Sequence, residues 1–346
     1  MRLLDHIAQS SAPLVIRQHD GARWQLRSAA DFSSALIRCP LRWVLSDDLT
    51  RTCIALAYSG GAELAGCLDL LHLPCERLWI EWNEAARREA LQSALVGTAI
   101  AHEPHILRAG VLLDAEPDFR RGRLRTFWLS EGAPREAILA PVETLLDLEG
   151  SSAPSAPDAL LQGAAVGVND PLNPPIDKLL QCARYRLEDS WAAYYRHAAG
   201  TATERSLVVQ KSLAAVAFDV PLLLALFLLV AVRDDLIRQP VQRRRLNSKR
   251  HRLGRRPLLD HLELSAPVFS PLHSTPATSA GGARRAPRLH HVRGHLVRRH
   301  NTVYWRGPHW RGHVRLGTVR SRTVRLRLPQ EATRAGTAPG GRGSAG

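Results

Sequence analysis

Apolar residues in the first 150 positions come in short runs of strand length, broken by polar turns. "TCIALAY" from Thr52 and "RLWIEW" from Arg77 are rich in β-branched and aromatic residues and read as strands. "EAARREALQSALV" follows Asn83 with helical spacing, so Asn83 is expected to cap it. "GVLLDA" from Gly110 and "RLRTFWLS" from Arg123 add two more strands, the second after a turn signal at "RRGR". Residues 1–149 are therefore expected to form a mixed layer of strands and helices in a chain of α+β class.

The next stretch, 150–177, opens "GSSAPSAPD", continues to "GVNDPLNPPID" and reads as a linker. From Lys178 the spacing turns helical: Leu180, Ala183, Leu187, Trp191 and Tyr194 recur every three or four residues, which predicts a central helical bundle over 178–239. Inside it, the 21 residues from Ser212 to Val232 contain no basic group, close to the roughly 20 that a bilayer span needs. A carboxylate at mid-bilayer is costly, whereas Asp219 suits an N-cap and Pro221 the first turn of a new helix. The run is expected to be two buried helices, about 206–218 and 220–237, and no membrane partner is expected.

Pro240 closes that segment, and 240–328 is expected to be a small antiparallel β module. "RLHHVRGHLVRR" and "TVYWR" flank "HN" as a hairpin would, and "TVRSRTVRLRL" supplies a third strand with Val324, Leu326 and Leu328 on one face and Arg325 and Arg327 on the other. Residues 269–287 are low in complexity and read as a mobile loop, and 329–346 as a disordered tail. No internal repeat is visible.

Charge changes this picture, because the total of +15 is unevenly spread. From Val241 onward there are 23 Lys or Arg against Asp260, Glu263 and Glu331, a net of +20 that leaves −5 for the first 240 residues. Such asymmetry suits a basic module for nucleic acid or another polyanion joined to an acidic globule. Arginine dominates: Lys249 is the one lysine after Lys211. Planar guanidinium favours phosphate forks and stacking over mere solubility. Five cysteines with no CxxC pair, and an N-terminus lacking a signal-peptide core, make a reduced, cytoplasmic protein the expectation.

The densest chemistry lies between Arg288 and His313, which hold six histidines, six arginines, Tyr304, Trp305 and Trp310 without one acid. One reading is a nucleic-acid surface, with Arg288, Arg293, Arg298, Arg299, Arg306 and Arg311 on phosphates and Tyr304, Trp305 and Trp310 stacking on bases. A second is a metal-independent ribonuclease or toxin-like nuclease in which His291, His295 and His309 move protons; His291, Arg293 and His295 would share one strand face. A third is an interaction protein whose arginines dock an acidic partner. A metal site is not expected, because histidines four apart on a strand lie about 13 Å from each other; no cofactor is expected either. Glu81, between Trp79 and Trp82, is weighed both as a catalytic acid and as a residue facing water from an edge strand. "YSGGAELAG" lacks phosphate-loop spacing and reads as a turn with a helix start.

"NSKRHRLGRRPLLDHLELSAP", "APRLHHVRGHLVRR" and "WRGPHWRGHVRLGTV" occur in that order over roughly the last quarter of the chain. In these pieces the chain resembles a group of uncharacterised proteins of bacterial genomes and prophage-like regions, which share a basic RxGxxPLxxH element, an R[LM]HxVRGHxRR strand and a Trp-containing turn. The resemblance implies a phage-associated setting and brings no activity with it.

Overall fold

Strand "RLWIEWN" lies inside the large sheet with both of its faces covered. Leu78, Ile80 and Trp82 point into one core and Trp79 into a second, on the opposite face of the same sheet. The structure is a computed structural model. It describes residues 1–11, 13–17, 23–94, 106–131, 136–170, 173–197, 201–233, 236–266, 288–292, 295–299, 302–306, 309–311 and 313–318, with backbone alone for 202, 288–292, 295–296, 302, 305, 309–311 and 313–318.

In chain order the elements are α1 (Leu3–Gln9), β1 (Leu14–Arg17), β2 (Arg23–Leu26), α2 (Ser33–Ile37), β3 (Leu41–Leu45), α3 (Asp47–Ser59), α4 (Gly61–Ala65), β4 (Arg77–Asn83), α5 (Glu84–Ala94), β5 (Ile106–Ala115), β6 (Arg121–Ser130) and β7 (Ala137–Asp147). There follow α6 (Pro174–Leu180), β8 (Ala183–Leu187), α7 (Asp189–His197), α8 (Ala202–Ala217), α9 (Asp219–Val232), β9 (Ile237–Val241), α10 (Arg244–Arg252) and β10 (His261–Ser265). The last strands are β11 (Arg288–Val292), β12 (His295–Arg299), β13 (Thr302–Arg306), β14 (His309–Arg311) and β15 (His313–Thr318). The class is α+β: one eight-stranded sheet in the order β8-β7-β6-β5-β4-β3-β10-β9, together with smaller sheets of two and three strands. Parallel pairing is confined to β3 with β4 and with β10; the other pairs in this sheet are antiparallel.

The chain divides into two units. The first holds residues 1–270 and 294–307, so it includes the β12–β13 hairpin; the second holds 271–293 and 308–346, where β11 pairs antiparallel with β14 and parallel with β15.

Several expectations are corrected. "TCIALAY" lies within α3: Ser46 Oγ accepts from the Leu49 amide at 3.2 Å, and Leu49, Cys53, Ile54, Leu56 and Ala57 recur on one buried helical face. Capping and a 3.6-residue period outweigh the strand preference of this short run. The linker is packed, with Leu160 and Val166 wholly buried and Val166 bridging to Tyr185. The central segment is not a bundle, because Ala183, Tyr185 and Leu187 bury alternate positions of an edge strand, β8, and Ile237–Val241 forms the opposite edge. Pro240 sits in that second edge strand, where a missing N–H is tolerated. The expected loop over 269–287, the strand beyond Thr318 and the tail lie outside the described residues.

The apolar run does divide near Asp219, between α8 and α9, and Asp219 to Leu229 are all buried. The stretch Thr203–Val232 is long and apolar enough to cross a membrane, and 72% of its most apolar window is buried inside the protein. Asp219 does not cap the helix. Its carboxylate leaves the helix, accepts from Thr126 Oγ1 at 3.1 Å and lies 3.6 Å from Arg87 Nη1. Arg87 in turn forks onto Glu84 at 2.5–2.9 Å. Burial pushes the Asp219 carboxyl up to about 7, against the opposing pull of Arg87.

Glu81 is likewise not at an edge. It is fully buried in central strand β4 and accepts from the Leu3 and Leu4 amides at 3.0 Å each, from Trp79 Nε1 at 3.4 Å and from Arg108. A carboxylate so engaged fastens the first turn of α1 to the sheet, with the added attraction of the helix N-terminal field.

Candidate nucleic-acid interface

The C-terminal strands separate residues that the sequence placed together. β11 pairs with β14 and β15, whereas β12 pairs with β13, so His291 and His295 belong to different sheets and to different units. The single strand face expected to carry His291, Arg293 and His295 is therefore not formed, and Arg293 lies outside the described residues. In the ladder His291 is opposite Trp310, Val292 opposite His309 and His290 opposite Arg311; Arg288 is opposite His313. In the hairpin His295 is opposite Arg306 and Leu296 opposite Trp305. Among the described residues no three His, Cys, Asp or Glu side chains converge as metal ligands would.

The described hairpin side chains have distinct environments. Arg299 and Arg306 are exposed, Tyr304 is half-buried and Val303 packs on the main core. Arg298 is committed: its two terminal nitrogens meet the two oxygens of Asp69 at 3.1 and 2.9 Å, and one also donates to the Gly66 carbonyl. The guanidinium holds the Asp69 carboxyl below the usual carboxylate range. This paired fork anchors the hairpin to the acidic half of the chain and competes with any phosphate for Arg298.

The larger cation array lies elsewhere, on α10 and the turn after it. Gly254, at φ +64°, ends the helix in a left-handed conformation that suits glycine. Asn247 then brackets Leu258, accepting from its amide at 2.8 Å and donating to its carbonyl at 2.9 Å, so the chain folds back beside the helix. Two arginines hold this unit to α1: Arg250 donates to the Gln9 side chain at 2.9 Å and Arg256 to the Ala8 carbonyl at 3.3 Å. Arg244, Arg245, Lys249, Arg252 and Arg255 are exposed, and none has a described carboxylate within ion-pair distance. Three of them, Arg244, Arg252 and Arg255, border an open groove of about 580 Å³ that also touches Asn247, Ser248, His251 and Asp260.

Sequence reading marked this segment as basic but placed its candidate residues further on, between 288 and 311. The signal that could have found it was the helical run "RRLNSKRHR", which contains no acid of its own. Like charges a turn apart destabilise a helix by about 0.2–0.5 kcal/mol per pair, and cations in the first turn oppose the helix field. No family model, no curated protein and no solved structure matches this chain.

Proposed function

We propose that this protein binds nucleic acid through clustered cationic side chains that have no described carboxylate within ion-pair distance. Arg244, Arg245, Lys249, Arg252 and Arg255 form the described part of the surface. Arg288, Arg299, Arg306, Arg311, Trp305 and Trp310 of the C-terminal strands are a separate set of candidates with the same chemistry. The observation that carries the reading is the exposure of five cations on one short segment with no described carboxylate within ion-pair distance of them. Guanidinium groups in that state are available to phosphate oxygens, and counterion release then supplies the affinity. Five free cysteines, four of them buried, support a reducing cytoplasmic setting, and the resemblance of the C-terminal motifs supports a phage-associated one.

Fluorescence anisotropy with a labelled duplex and a labelled single strand tests this across a salt series. Five phosphate contacts give a slope of log K against log salt near −4.5 for duplex DNA, about 500-fold weaker binding between 50 and 200 mM salt. Replacing Arg244, Arg245, Lys249, Arg252 and Arg255 together by alanine should flatten that slope and abolish measurable binding at 200 mM. An unchanged slope in the variant, or no binding by the wild type at 50 mM, rules the reading out. Capture of an acidic peptide without capture of either nucleic acid would transfer the surface to a protein partner.

A further inference from the structure

The face of the large sheet that carries Trp79 and Phe127 is only partly roofed. α1, the 3-10 turn Ala29–Phe32 and α2 cover one end, where Leu3, Ile7, Phe32 and Leu36 pack on Leu112 and Leu129. Toward β6, β7 and β8 the same face turns cationic. Register places Arg77, Asp114, Arg123, Leu145 and Arg184 in one row across β4 to β8. Arg125, Glu143 and Arg186 lie in the next row of that face, since positions two apart on a strand point the same way.

The guanidiniums outnumber their acceptors. Arg77 and Arg125 each donate to Asp114 at 2.6 Å. Glu143 receives Arg125 at 3.1 Å and Arg186 at 3.2 Å, with Arg123 3.7 Å away. Arg184 donates to the Ala165 carbonyl at 3.1 Å. Four arginines, Arg77, Arg123, Arg125 and Arg186, thus share the carboxylates of Asp114 and Glu143, a local excess of two positive charges in the half of the chain that is negative overall, and Arg184 adds a further cation beside them. Each guanidinium has five N–H donors, far more than two carboxylates can engage. The side chains of Arg77 and Arg123 are 41% exposed and that of Arg186 is 32% exposed, so their spare donors reach solvent.

Beside the first row runs an open groove of about 470 Å³, lined by Arg121, Arg123, Arg125 and Arg184 together with Asp114 and Asp147. Its size is in the range of small-ligand sites. Glu116, which pairs with Arg121 at 3.4 Å, and Asp147 stand along it. These acids would repel a phosphate backbone running through the groove, but leave room for a compact anion seated over the arginines.

We infer that this groove binds a small polyphosphate, held across Arg123 and Arg184. The site is separate in residues from the α10 surface and does not depend on it. Paired donors from two strands fit the oxygens of successive phosphoryl groups, which a lysine-lined face would bind as point charges only.

Calorimetric titration of the full chain with inorganic triphosphate at low salt tests the inference. The expected result is one-site binding, weakened at least tenfold in Arg123→Ala/Arg184→Ala and unchanged in the five-residue α10 variant. Nucleic-acid affinity should show the reverse, falling in the α10 variant and holding in the double variant. Absence of triphosphate binding by the wild type, or equal binding by the double variant, overturns the inference and leaves the arginines as strand cross-links. Should circular dichroism show the double variant unfolded, Arg184→Ala and Arg184→Lys replace it. Each is expected to weaken binding at least threefold, and full affinity in both overturns the inference equally.

Discussion

Glu81→Ala is expected to lower the free energy of unfolding by about 3–5 kcal/mol, the usual penalty for removing one partner of a buried ion pair. The Glu81 carboxylate is fully buried and gathers two backbone amides of α1, the Trp79 indole and the Arg108 guanidinium around it. Its removal leaves a guanidinium that is largely out of water with no counter-charge, and unseats the first turn of the helix that roofs the second core. Glu81→Gln keeps one accepting oxygen and should fall between alanine and wild type. Urea unfolding followed by circular dichroism gives the numbers. A loss below about 1 kcal/mol for alanine would mean that water reaches Arg108 and that the carboxylate is not the anchor described here.

The second large effect is a pH dependence that originates at Asp219. Its carboxyl ionises near 7 in the folded chain, against about 3.9 in an unfolded one. Between these values the native state binds one more proton than the unfolded state. The stability contributed by Asp219 is therefore complete below about pH 4 and is lost as pH rises toward 7, at up to about 1.4 kcal/mol per unit. Every group packed on it belongs to this balance: Arg87 and Glu84 from α5, Thr126 from β6 and Tyr185 from β8. Asp219→Asn retains the size of the side chain and can still accept from Thr126, but has no proton to lose. Subtracting the unfolding free energy of Asp219→Asn from that of wild type at each pH should give a difference that falls by roughly 3–4 kcal/mol from pH 4 to pH 7 and is flat above. A difference independent of pH would place the titration elsewhere.

What the sequence revealed depended on how local the cause was. "RLWIEWN" was legible as a strand because its alternate positions are all large and apolar, and the helix after Asn83 because a cap and a period agree: the Ala85 amide donates to Asn83 Oδ1 at 3.1 Å. β8 was misread because Ala183 and Leu187 satisfy a helical spacing and a two-residue alternation together. The pairing with β7 that decides between them lies forty residues away in the chain. Asp219 looked like a cap for the same reason: its partners, Arg87 and Thr126, come from distant elements. Of the candidate site, the excess of arginine was visible from composition. That Arg298 is held by Asp69 while Arg244, Arg245, Lys249 and Arg252 have no described carboxylate within ion-pair distance depends on tertiary contacts, and the arginine rows on β4 to β8 depend on strand register.

The hairpin Gly294–Gly307 belongs with residues 1–270, although the chain on either side of it belongs to the second unit. Recombinant fragments made by a single cut after Ala266 would therefore not correspond to natural building blocks. The longer piece would lose the strand from which Val303 packs on its core and would leave Asp69 bare, while the shorter piece would carry an unmatched two-stranded ribbon. Dissecting this protein by truncation is expected to yield sticky, poorly behaved halves, and internal point substitutions are the sounder route to separating its surfaces.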